Sequence, residues 1–129
     1  MKYKKGDVIK FERTFLGEEV KEFIDLSQDH SSHHFEPDEL GRFMVQGLLT
    51  ATLATKIGGD LNVLARTMEF EFIRPVFTNG PILIELTIDR YDFIEKDNRI
   101  AIEASFTCTN DENKEVMQGT FTGYVLEEK

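Results

Sequence analysis

Gln46-Gly47-Leu48-Leu49-Thr50-Ala51-Thr52-Leu53-Ala54-Thr55-Lys56-Ile57 holds a single ionic side chain, Lys56. Leu48, Leu49, Ala51, Leu53, Ala54 and Ile57 leave almost no charged face, and a helix that is apolar nearly all round belongs in an interior. Gly58-Gly59-Asp60 is its expected stop, because glycine accepts the left-handed conformation that ends helices. One buried helix is therefore the centre around which the rest of the chain must be arranged.

Upstream, residues 8–15 are β-rich but short. Residues 16–27 place Val20, Phe23, Ile24 and Ser27 at helical spacing, with Glu18 and Glu19 in the first turn, where negative charge suits the helix dipole. Segment 28–35 is polar and breaks that pattern. Glu36-Pro37-Asp38-Glu39-Leu40 predicts a further helical turn with Pro at its first position. Downstream, the texture becomes β from Ala65. Met68-Glu69-Phe70-Glu71-Phe72 alternates strictly, 82–88 does so in part, and 100–106 and 121–125 continue it. Thr78-Asn79-Gly80-Pro81, 95–98 and 110–113 have turn chemistry. Four long strands joined by short turns predict an antiparallel meander. The fold class is α+β, an antiparallel sheet wrapped around one buried central helix. No repeat or linker divides the chain, so residues 1–129 form one domain.

Composition narrows the function. A formal net charge of -9 disfavours nucleic acid, whose phosphates require a concentrated basic surface. Cys108 is the only cysteine, so no intrachain disulfide forms and a reducing compartment is expected. The N-terminal lysines are followed by Asp7, Lys10 and Glu12 rather than an apolar core, unlike a signal peptide. No stretch approaches the ~20 apolar residues of a membrane span. The expectation is a cytoplasmic protein with neither membrane nor nucleic-acid partners.

All three histidines, His30, His33 and His34, lie within five positions, beside Asp29 and ahead of Glu36. The stretch Leu26-Ser27-Gln28-Asp29-His30-Ser31-Ser32-His33-His34-Phe35-Glu36-Pro37 resembles the hydratase motif of the MaoC-like dehydratases and (R)-specific enoyl-CoA hydratases. Asp29 matches that family's catalytic aspartate, and His34 matches its catalytic histidine. Val45-Gln46-Gly47-Leu48-Leu49 is similar to the family's Val-His-Gly-Met-Leu at the start of the central helix, which puts Gly47 on the oxyanion-hole glycine. Thr55 falls where the family often has a hydroxyl, and Phe72-Ile73-Arg74-Pro75-Val76-Phe77 resembles its Phe-x-x-Pro-Val. Two departures stand out. Ser31-Ser32 replaces the family's Asn-Pro, and Gln46 replaces the His before the glycine.

The resemblance implies a hot-dog fold and reversible hydration of enoyl thioesters carried on CoA or acyl-carrier protein. It also implies a homodimer or higher homo-oligomer, and no cofactor. Adding water across a 2-enoyl thioester needs a base for the water, a proton for C2 and a donor to the thioester oxygen. Imidazole, with a reference pKa of ~6.5, moves protons at neutral pH. A carboxylate needs partial desolvation to be an effective base, so Asp29 is expected to be shielded. The Gly47 N–H is a first-turn donor without a helical acceptor. Met44, Leu48, Phe70 and Phe72 are expected to line the acyl group, and Thr55 reads more readily as a packed helix residue. Arg42, Lys56, Arg66 and Arg74 are candidate partners for CoA phosphates. A thioesterase or a non-catalytic acyl-thioester binder of the same fold would use the same carboxylate and glycine. A metal site on Asp29, His30, His33, His34 and Glu36 is a poorer reading, because adjacent histidines rarely ligate together and no cysteine completes the set.

Overall fold

The computed structural model describes residues 1–129. It opens with β1 (Val8–Thr14) and α1 (Gly17–Ser27), followed by a 3-10 turn at Ser32–His34. Then come β2 (Met44–Val45), α2 (Gly47–Thr50), α3 (Thr52–Asp60), β3 (Val63–Phe72) and β4 (Val76–Phe77). Three long strands complete the chain: β5 (Pro81–Ile94), β6 (Arg99–Thr109) and β7 (Glu115–Val125). The main sheet has the antiparallel order β1-β5-β6-β7-β3, and β2 pairs separately with β4.

The sheet's inner face is written in alternate positions. Ile82, Ile84, Leu86 and Ile88 of β5 are buried, as are Ile100, Ile102, Ala104, Phe106 and Cys108 of β6. The central helix presses Leu49, Leu53, Ile57 and Leu61 into that face, a stripe of four-residue steps. At ~1.5–3 kcal/mol for each large aliphatic side chain, the stripe is worth on the order of 10 kcal/mol before entropy is subtracted. Ala51, helical at φ -61 and ψ -18, joins α2 to α3 with only a local irregularity. The expected single helix is thus two helices in series. Its solvent side is not closed, for Leu48 is 63% exposed.

Three sequence expectations give way to local forces. The predicted helical turn at 36–40 is a non-helical turn. The Asp38 carboxylate accepts from the N–H groups of Leu40 and Arg42 at 2.9 and 2.8 Å, and such side-chain bonds compete with helix formation. The Gly58-Gly59-Asp60 stop is overrun, and α3 ends at Asp60 ahead of Asn62 at φ 60. Burial of Ile57 and Leu61 on either side offsets the ~1 kcal/mol that each helical glycine costs against alanine. The four-strand meander holds only for β5-β6-β7. β3 pairs with β7 instead of β5, because Val76 and Phe77 are used in pairing with β2 rather than in a tight turn.

β3 therefore ends as an edge strand. Met68, Phe70 and Phe72 share its inner face, yet Met68 and Phe72 are exposed. The close approach of β3 to β7 depends on Gly119. A Cβ there would meet the Glu69 carbonyl oxygen at 2.1 Å and the Phe106 ring at 2.7 Å. Because the first obstacle is backbone, Gly119→Ala is expected to cost about 3 kcal/mol, the upper range for overpacking. A thermal melt should show Tm lower by roughly 10 °C or more; an unchanged Tm would contradict this packing.

Candidate active site

α1 stops where Gln28 takes a left-handed conformation at φ 61, and Asp29 follows directly. The chain then turns through Ser32–His34, which drives the His34 ring inward to 4% exposure. Its Nδ1 lies 3.1 Å from the Met44 carbonyl oxygen. A carbonyl only accepts, so Nδ1 carries the proton and Nε2 faces the other way. Nε2 stands 3.5 Å from Asp29 Oδ2. Two residues from one polar loop are thus brought together, one buried and the other at the surface.

The expected shielding of Asp29 is absent, for its side chain is 47% exposed. Its carboxyl is held below the usual aspartate range. The main cause is the Ser31 hydroxyl, which donates to Oδ1 at 2.5 Å, followed by the Ser31 N–H at 3.1 Å. Both bonds favour the charged form and outweigh the small desolvation. In the sequence Ser31 stands out only as part of the departure from the family's Asn-Pro. The signal was an aspartate two residues before a serine, the spacing at which side chain and backbone close a local turn.

Gly47 opens α2 behind Gln46, which caps the helix in extended conformation. A Cβ at Gly47 would lie 3.0 Å from the Phe72 ring, so this glycine has a packing reason of its own. Phe72 in turn stacks on Phe70, with ring centroids 6.2 Å apart. Phe72, Gly47 and exposed Leu48 thus sit at the helix start, while Met44 contributes its carbonyl to His34. Thr55 is not packed. It is exposed, with its hydroxyl 3.5 Å from the Ala51 carbonyl, and eight helical residues separate it from Gly47 by roughly 12 Å.

His30 and His33 are exposed; His30 stacks on Phe35, and the His33 ring lies against His34. No three His, Cys, Asp or Glu side chains converge as a metal site would require. Among the candidate phosphate partners, Arg42 and Arg74 line one cleft with Lys114. Arg42 is committed to Asp38 at 2.7 Å, and Lys56 pairs with Asp60. Gln46, beside Gly47, is 3% exposed, and its Oε1 is the only buried side-chain N or O atom without a hydrogen-bond partner. Such an atom costs ~1–3 kcal/mol.

No protein-family model and no curated protein matches this sequence. Solved structures do. An (R)-hydratase from A. caviae involved in PHA biosynthesis is similar over 95% of this chain and 96% of its own, with TM-score 0.80 and 18% identity. A MaoC-like dehydratase from Rhodospirillum rubrum covers 97% and 94%, with TM-score 0.71 and 14% identity. A hypothetical thioesterase protein with coenzyme A from Streptococcus pneumoniae covers 99% and 85%, with TM-score 0.63 and 13% identity. The chain has a hot-dog fold. In this it is like the (R)-hydratases and MaoC-like dehydratases, and at these identities the likeness speaks for the fold. No helix is long and apolar enough to cross a membrane.

If Ser31 sets the charge of Asp29, then Ser31→Ala should raise the Asp29 pKa toward its ordinary value. Removing a donor to the carboxylate favours the protonated form, so Asp29 would protonate at higher pH as pH falls. Carboxyl carbon shifts followed by NMR titration read this directly, and an unmoved midpoint would exclude the Ser31 hydroxyl as the cause.

Proposed function

We propose that this protein is a hydratase or dehydratase of 2-enoyl and 3-hydroxyacyl thioesters on CoA or acyl-carrier protein. The observation that carries this reading is the approach of His34 Nε2 to Asp29 Oδ2 at 3.5 Å, with Nδ1 anchored on Met44. In this reading a water molecule sits between the two groups, over C3 of the substrate. Asp29, ionised, accepts one water proton as the oxygen adds to C3. Protonated His34 keeps its Nδ1–H on Met44 and delivers its Nε2 proton to C2. Exchange with solvent at half-exposed Asp29, and through water to His34, then restores both protonation states. The Gly47 N–H takes the thioester oxygen, where charge builds in the enolate, and the helix dipole assists. Leu48, Phe70 and Phe72 provide the apolar wall for the acyl chain.

A homodimer fits the same reading. β3 is a ten-residue edge strand bearing exposed Met68 and Phe72, and a second copy would cover its unpaired backbone. The alternative is thioester hydrolysis or acyl-thioester binding, which a half-exposed carboxylate and a helix-start amide also serve. The buried, anchored imidazole favours hydration.

Following the enoyl-thioester absorbance with crotonyl-CoA should show hydration by the wild type without release of thiol. Asp29→Asn and His34→Ala should each lower kcat by about 100-fold or more while remaining folded, the range for loss of an acid–base group. Retention of full activity by either variant would remove that residue from the mechanism.

A further inference from the structure

We infer that Gln46 is a positioning residue, one that holds α1, the helix that runs on into Asp29, and the start of the central helix in fixed relation; this rests on the function proposed above. Its side chain is almost wholly buried. Nε2 donates to the Val20 carbonyl of α1 at 3.0 Å. Its own carbonyl takes both the N–H and the hydroxyl of Thr50, at 2.9 and 3.1 Å. The amide thus ties the helix that leads into Asp29 to the residue that precedes Gly47.

The neighbouring positions show why this tie matters. Met44 holds His34 through its carbonyl, Val45 pairs with Val76, and Gly47 packs against Phe72. Gln46 is the residue of this run whose side chain hydrogen-bonds to α1. Core packing of Val20 and Ile24, and Arg13, which bonds both Glu19 and Thr52, also hold α1 against the helix, and Gln46 adds the bond that reaches α1 from the residue next to Gly47. Proton transfer and oxyanion stabilisation both decline steeply with misplacement of the reacting groups.

Stability does not explain the choice of glutamine. Oε1 is buried and unpartnered, and the Val20 carbonyl lies inside α1, where the helix supplies it with a donor. An apolar side chain of the same length would fill the space without a stranded oxygen. A residue kept against local stability beside a site is expected to serve the site.

The test is Gln46→Met in the full chain, which keeps length and volume but removes both amide atoms. On crotonyl-CoA the expected result is kcat lower by about tenfold or more, KM within about twofold and Tm equal to or above wild type. Unchanged kcat overturns the inference. So does a variant that unfolds, or one whose kcat falls only in step with Tm and returns on cooling, because glutamine would then be purely structural. If the wild type turns over no enoyl thioester, the proposed function fails, and amide NMR spectra of the two proteins decide the inference separately. Shift changes that reach both Gly47 and Asp29 uphold the tie, and changes confined to Val20, Val45 and position 46 overturn it.

Discussion

Burial of the stripe Leu49, Leu53, Ile57 and Leu61 beneath the curved sheet is the constraint from which the rest of this molecule follows. A helix with one ionic residue in its first eleven positions, Gly47 to Ile57, has no stable place at the surface, and a sheet with one apolar face needs a cover. Once the two meet, the start of the helix has to emerge beside β2 and β3. Gly47 then falls under the Phe72 ring, and Met44, three residues earlier, presents its carbonyl to His34. The position of the site is a consequence of how the core closes.

The strengths of the interactions at the site are graded in a way that suits chemistry. His34 is buried and anchored on a backbone carbonyl, so its orientation is set by the fold. Asp29 is half exposed and is oriented by Ser31, a neighbour only two residues away. The fixed partner is an imidazole and the adjustable partner a carboxylate open to water.

Much of the architecture was legible in the sequence because it is periodic. The central helix, the alternation of β5 and β6 and the turns at 78–81, 95–98 and 110–113 follow from burial and turn chemistry alone. The strand order was not legible, since pairing β3 with β7 is a long-range choice that no local pattern records. The turn at 36–40 was misread because Pro37 signals a helix start, while the Asp38 side chain diverts the backbone bonds a helix would use. At the site, the proximity of Asp29 and His34 could be expected from their motif. The exposure of Asp29 could not, because it depends on how far the loop stands off the core. Gln46 stood out in the sequence only as a departure from a family motif, and its bond to Val20 appears only when α1 and the helix start are seen side by side.

In the proposed reaction Asp29 and His34 direct water to C3 of an enoyl thioester and not to its carbonyl carbon. The most direct test is turnover of crotonyl-CoA in water enriched in oxygen-18, with mass spectrometry of the products. Hydration would leave one heavy oxygen on C3 of an intact 3-hydroxyacyl thioester. Heavy oxygen in a free carboxylate, accompanied by released CoA thiol, would contradict it and assign the site to hydrolysis.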